Sequence, residues 1–452
     1  MKKIALIALA FPPIDRADTS NERWFELMPP LWALALATYL REAMPSVKVD
    51  ILDEQLLGRK ELRKKLSSAK YDLAGFSPVA YTYKDVLECA RLVKKNGSLV
   101  VLGGHYVPAL KQEIFANRGP GSADYCVDAL VHYDGEKAMH ELAKGTSFSN
   151  ISNLIYKGPG GRVIENPAAD LDLAGLPPVD YTLVRVEDYF RLQPAHSRGI
   201  LPFASQRGCK WADGPGRCFF CSIQSRGGLR AVPPGEAARR MAFLAGKLGA
   251  RYIFEGSDDF PADPEWLERF AAAAAKPGFP ALKIFARAST LNARNIALLK
   301  KANTRYVSVG VESMSDAVLR KAGKGSSAMT NQRAVSMLLK AGITPKIHVI
   351  LGLPGETKAT LSTTLAEFKK MELPSESREK VLLISTFAVY PGTDALRRLL
   401  VKEPKYRGAD IVDEQALFHD WLKHFSRVDA SAIAAAQSAL ERLFAARVIS
   451  RR

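Results

Sequence analysis

The sequence is poor in cysteine, with five in 452 residues. So few thiols in so long a chain exclude a disulfide framework of the kind that staples small secreted domains. It also lacks any apolar run approaching the roughly 18 residues needed to cross a bilayer, so no transmembrane segment is expected. No repeat or low-complexity tract stands out. The opening MKKIALIALAF has the lysines and apolar run of a signal peptide, but PPIDR stands where a small-residue cleavage site belongs, and the stretch reads as a first β-strand. The expectation is a globular, cytoplasmic protein of two or three domains. Acidic side chains are in deficit, 47 against 64 Lys and Arg, a formal charge of +17. The basic residues are scattered along helix-like segments with short runs such as GRKELRKK, which reads as a solvated surface. No appended RNA-binding module is present, and no stable nucleic-acid partner is expected.

What is there is alternation. From the N-terminus, the apolar runs KKIALIALA, VKVDILD, YDLAGFS, SLVVLGGH and ADYCVDALV are separated by helix-length segments. Continuous apolar strands divided by helices require a parallel sheet covered on both faces, so residues 1–145 are expected to form an α/β, doubly wound, Rossmann-like domain. Ligands of such sheets bind beyond the carboxyl ends of the strands, where SPVAY, GGHY and YDGE would converge. Gly103 and Gly104 allow close backbone approach to a ligand, or simply a tight turn. Cys89, in an expected helix, and Cys126, in an expected strand, read as buried small hydrophobes. Residues 146–198, rich in Gly and Pro, read as a hairpin and linker. Over residues 199–398 the strand candidates LPFASQR, ARYIFEGS, ALKIFARAS, TRYVSVGVES, PKIHVILGL and VLLISTFAVY alternate with helices. These six units fall short of closing a TIM barrel, so a partial (β/α)6 barrel is expected, with its reaction site at the strand C-termini. Residues 399–452 read as a short helical C-terminal region.

Three of the five cysteines lie in RGCKWADGPGRCFFCS, with eight residues between Cys209 and Cys218 and two between Cys218 and Cys221. Clustered thiolates suit a soft metal. A structural zinc site needs a fourth ligand, and the nearest other candidate, His196, lies upstream across a whole strand. A 4Fe-4S cluster held by three cysteines leaves one iron open. The spacing favours that cluster, with a zinc-stabilised nucleic-acid-binding protein as the alternative.

The trio after the first barrel strand, Phe220 before its last cysteine, EGSDDF, GVES and GLPGET together resemble a radical S-adenosylmethionine enzyme over about residues 200–395. PPLWALALATYLREA, YDLAGFSP, VVLGGHYVPAL and YDGEKAMHEL are similar to the cobalamin-binding domain that precedes the barrel in one branch of that superfamily. The resemblance implies a 4Fe-4S cluster on Cys209, Cys218 and Cys221, together with S-adenosylmethionine and cobalamin as cofactors. It implies that Asp258 accepts from the ammonium of S-adenosylmethionine, that Arg287 pairs with its carboxylate, that Glu312 with Ser313 holds the ribose, and that Phe220 lies near the adenine. A helix N-cap is the competing reading of Asp258 and a rim salt bridge that of Arg287. The corrin and its tail would lie along Ser77, Gly103, Gly104 and Gly135, with His105 and Tyr133 beside them. His348 reads as a satisfied core histidine.

Two features depart from the family pattern. The first cysteine gap holds eight residues where three are usual, and the Asp-x-His-x-x-Gly motif of methionine-synthase-like cobalamin domains is missing. In its place stands FPPIDRADTS, and no lower axial histidine is expected; DEQLLG, with Gln55, follows the wrong strand. The activity implied is methylation of an unactivated carbon in a small-molecule, lipid or peptide substrate through a 5'-deoxyadenosyl radical, with flavodoxin or ferredoxin as electron donor. Cyclisation, dehydration or oxidation is the alternative. No single catalytic residue is marked out, and specificity is expected in KWADGPGR and the C-terminal segment.

Overall fold

The computed structural model describes residues 1–10, 27–116, 123–212, 214, 217–223, 228–371, 373, 381–409 and 412–449. Seven strands, β1 (Lys3–Ala8), β2 (Lys48–Asp53), β3 (Leu73–Phe76), β4 (Leu99–Leu102), β5 (Ala129–Val131), β6 (Leu154–Lys157) and β7 (Val163–Glu165), build one sheet in the order β2-β1-β3-β4-β5-β6-β7. The first five are parallel. Their apolar side chains divide by the period of two that a strand imposes. Ile4 and Leu6 pack with Ala33, Ala37, Met139 and Leu142 of one helical layer, while Ala5 and Ile7 pack with Leu62, Leu66, Leu87 and Ala90 of the other. This is the doubly wound arrangement that the apolar runs require.

The hairpin expected after residue 145 is β6–β7, and it does not stand apart. β6 pairs antiparallel with β5, Leu130 opposite Ile155, and so extends the sheet to Glu165. The rest of the linker is pinned down as well. Gln193 accepts from the N–H groups of Gly199 and Ile200 and donates to the Ile200 carbonyl, and the Tyr189 hydroxyl donates to buried Asp53 at 2.8 Å. Cys89 lies buried in the helix Tyr83–Lys95. Cys126, expected in a strand, is instead in the turn before β5, equally buried.

The second sheet is formed by β8 (Ile200–Phe203), β11 (Tyr252–Glu255), β12 (Ala281–Arg287), β13 (Thr304–Glu312), β14 (Thr344–Leu351) and β15 (Leu382–Thr386), all parallel, in the order β15-β14-β13-β12-β11-β8. A two-residue ladder, β9 (Gln206–Arg207) with β10 (Arg230–Ala231), interrupts the crossover after β8. Leu282, Ile284 and Ala286 of β12 face the outer helices, and the intervening positions face the lumen, where Phe285 meets Phe254 and His348. β15 and β8 do not pair, which leaves the expected partial barrel open on one side. Helices Glu414–Phe425 and Ala430–Ile449 complete the chain. Trp421, fully buried, donates from its indole to the Gly352 carbonyl at 2.9 Å and packs its ring 5.4 Å from that of Phe219. Leu34, Leu171 and Tyr181 of the first half join the barrel core, so the two halves share one hydrophobic interior. Among the described residues, no helix is long and apolar enough to cross a membrane.

Candidate functional site

A cavity of about 440 Å³ opens between the carboxyl ends of the two sheets. It is lined on one side by Ser77, Gly103, Gly104, His105, Tyr133 and Gly135 and on the other by Asp258, Gln206 and Gly208. The strands explain the convergence, since each loop after a parallel strand emerges at the same end of its sheet. Two backbone features shape the wall. Gly104 has φ 85°, and a Cβ there would lie 2.7 Å from the Ser77 hydroxyl oxygen, so only glycine leaves this edge of the cavity clear. Tyr133 holds φ 61°, a conformation costly for an aromatic residue, with its ring stacked 3.6 Å from that of His132. A broad, largely apolar floor with glycine at its polar rim suits a large planar ligand, and cobalamin fits that description.

Four charged residues absent from the sequence expectations form one wall. Arg207 bonds Asp134 at 2.7 Å and Glu136 at 2.6 Å, and Arg230 bonds Asp134 at 2.5 Å. Burial alone would raise the Asp134 pKa, but hydrogen bonds from Arg230 and Arg207 hold it below the usual carboxylate range. Their only sequence sign was position: the acids flank Gly135, and Arg207 stands two residues before Cys209.

The cavity reaches the cysteine loop through Gly208 and Ile223. Burial pushes the Cys221 thiol up to about 11, and Cys218, Asp258 and Cys209 act on it in the same direction, so the three thiols occupy one neighbourhood. Burial likewise raises the Cys209 thiol. The Ile223 N–H donates to the Cys221 sulfur at 3.4 Å, and Arg287 Nη1 to the Cys218 sulfur at 3.4 Å. Such N–H donors suit thiolates that bind a metal cluster. Among the described residues, no three His, Cys, Asp or Glu side chains could hold a single metal ion. A cube that takes its thiolates at separate corners makes no such demand on their closeness.

Asp258 faces the cavity close to His105 of the opposite domain, and burial raises its pKa. The next helix is capped by Asp263, whose carboxylate accepts from Glu265 and Trp266, which leaves Asp258 without that structural task. Arg287 is buried at the end of β12, with its guanidinium on the Cys218 sulfur and the Lys324 carbonyl. Glu312 has φ 62° where the register between β13 and β14 slips, and it bonds Lys324 Nζ at 2.8 Å. A Cβ on Gly310 would lie 2.6 Å from both partners of that pair, so the glycine of GVES makes room for it. Lys324 also lies 5.8 Å from the Phe220 ring. Ser313 stands apart from this group: its hydroxyl meets Thr364 at 3.3 Å and accepts from the Ser315 N–H. Lys324 escaped sequence reasoning because KAGKG carries no motif. His348 is not the satisfied core residue expected: among the described residues its Nε2 has no hydrogen-bond partner, and burial lowers its pKa.

Residues 205–368 match the radical SAM superfamily. The barrel is a radical SAM domain. The chain is 25% identical over 392 residues to an uncharacterized methyltransferase of Pyrococcus horikoshii, covering 82% of the chain and 79% of the relative. It is also 25% identical over 355 residues to the anaerobic magnesium-protoporphyrin IX monomethyl ester cyclase of Rubrivivax gelatinosus, covering 74% of the chain and 61% of the cyclase. Among solved structures, the cobalamin-dependent S-adenosylmethionine radical enzyme OxsB superposes with a TM-score of 0.72 at 16% identity, over 97% of the chain and 66% of OxsB. The radical S-adenosylmethionine methyltransferase TsrM from Kitasatospora setae gives 0.67 at 17%, over 88% of the chain and 76% of TsrM. At these identities the likeness to the solved structures is one of fold, and it takes in both sheets. The chain spans just under two thirds of OxsB.

Proposed function

We propose that the protein is a cobalamin-dependent radical SAM methyltransferase acting on an unactivated carbon of a small-molecule, lipid or peptide substrate. One observation carries the reading: a single cavity joins the glycine-edged ends of the Rossmann-like strands to Asp258 and the cysteine loop. Methylation by this route needs two reactive centres facing each other with water kept out. Cys209, Cys218 and Cys221 would hold the 4Fe-4S cluster, Asp258, Glu312 and Phe220 would line the S-adenosylmethionine site, and the loops at Ser77, Gly104 and Gly135 would bear the corrin. When bound, these groups supply reductive cleavage of S-adenosylmethionine and a methyl donor. The chain's own task is to position them: Asp258 presents a carboxylate to an ammonium, and the Arg207 and Arg230 pairs keep the two domains in register. Flavodoxin or ferredoxin is the class of electron donor such a site requires.

Relatedness to a cyclase favours a second reading, in which the same centre forms a ring. Anaerobic turnover with methyl-deuterated S-adenosylmethionine in an extract of the source organism separates the two. A product carrying the deuterated methyl group supports methyl transfer. 5'-Deoxyadenosine formed together with a substrate that has lost hydrogen and gained no label supports ring formation, as does failure of the protein to retain hydroxocobalamin.

A further inference from the structure

The long gap between Cys209 and Cys218 has a structural counterpart in Trp211. Its indole N–H donates to the Gly323 carbonyl at 2.9 Å. Gly325, at φ 65°, admits the ring: a Cβ there would lie 2.3 Å from the indole Cη2 and Cζ2 atoms. On the indole face sits the Arg287 guanidinium, 4.5 Å from the ring centroid. That guanidinium donates to the Cys218 sulfur at 3.4 Å and to the Lys324 carbonyl. The Arg287 main chain is held in turn by its N–H to Asp259 at 3.1 Å. Arg287 is therefore confined between an indole and a thiol in a nearly dry site, 7% exposed.

Hydrogen bonds to cluster sulfurs, net charge and exclusion of solvent set the potential of an iron–sulfur centre. A fixed cation beside a ligand sulfur stabilises the reduced cluster, which carries one more negative charge, and low dielectric strengthens the effect. Stacking on tryptophan suits a planar guanidinium better than a compact ammonium. We propose that Trp211 is a positioning residue of the enlarged loop: it holds Arg287 against the Cys218 sulfur and so raises the reduction potential of the cluster. The inference rests on the three-cysteine cluster described above. It gives the insertion an electrochemical task.

The test is an EPR-monitored redox titration of the anaerobically reconstituted full chain without S-adenosylmethionine or substrate. W211A and R287Q should shift the midpoint to more negative potential, so that at a fixed reducing potential the reduced fraction falls several-fold. W211F, which keeps a ring but loses the bond to Gly323, and R287K, which keeps charge but not the fork, should shift less and in the same direction. Wild-type midpoints in W211A and R287Q, with full iron content, overturn the proposal. Should either truncation fail to take up iron, W211F and R287K decide it: unchanged midpoints in both also overturn it. Iron and sulfide analysis of the wild type comes first: a chain that takes up no cluster sinks the functional reading and this inference with it, whereas a clustered chain with wild-type midpoints in the variants sinks this inference alone.

Discussion

Arg207 of β9 grips Asp134 at 2.7 Å and Glu136 at 2.6 Å, so the residue two places before Cys209 is bonded directly to the loop that follows β5. Asp134 and Glu136 are 6% and 3% exposed. Removing the guanidinium takes away the partner of buried Glu136 and leaves Asp134 to Arg230 alone, a loss on the order of 3 kcal/mol. R207A should lower the chemical-denaturation midpoint and the melting temperature, whereas the double change with E136Q should recover part of that loss. Equal stability of R207A and wild type would show that the clamp contributes nothing.

Glu356 gives a prediction for pH. Burial pushes its carboxyl up to about 7 from an ordinary 4.5, against hydrogen bonds from Thr360 and the Gly352 N–H. A carboxyl whose folded pKa is raised binds more protons in the native than in the unfolded chain between those values, so stability falls as pH rises from about 4.5 to 7. The two and a half units are worth on the order of 3 kcal/mol. Denaturation midpoints measured at pH 5 and pH 8 should draw closer together in E356Q. Asp53, raised by burial to about 6, titrates in the same window, so the slope should shrink rather than vanish.

Each of the three loop cysteines is expected to be indispensable. C209A, C218A and C221A should lose the visible absorbance and most of the iron of the reconstituted protein. C89A and C126A, which change thiols buried in the Rossmann-like half, should retain both. Full iron in any one of the first three would mean that another ligand had taken its place.

Gly104 tests the corrin site without touching the barrel. With φ at 85° and Ser77 Oγ 2.7 Å from where a Cβ would stand, G104V strains the backbone by about 1 kcal/mol or more and narrows the cavity edge. Hydroxocobalamin retained after gel filtration should fall at least several-fold, with the cluster absorbance unaltered. Unchanged corrin retention would move the cofactor elsewhere.

The sequence showed most of what repeats along the chain. Strand and helix periodicity sufficed for both sheets, because apolar runs such as KIALIA cannot be satisfied except inside a covered parallel layer. The cysteine trio and GVES stand out in the sequence because their chemistry is local. What escaped were partners brought together from afar. Lys324 reaches Glu312 across a helix and a turn, and Arg207 finds Asp134 more than seventy positions upstream. The antiparallel seat of β6 on β5 was hidden for a similar reason, since a Gly- and Pro-rich hairpin carries no mark of which strand edge it will join. Ser313 points away from Glu312: its neighbour on the chain turns inward while its own hydroxyl turns to Thr364, because successive residues near a strand end diverge.

The indole of Trp421 is wedged among Phe387, Phe425 and Phe219, rings contributed by β15's trailing loop, the tail and the cysteine segment. The tail thus works as a stopper driven into the side of an unclosed vessel, with its tip resting against the residue between Cys218 and Phe220. Cutting the chain ahead of that stopper would unpack Phe219, next to Cys218, together with part of the barrel core, and a reconstituted sample should bleach.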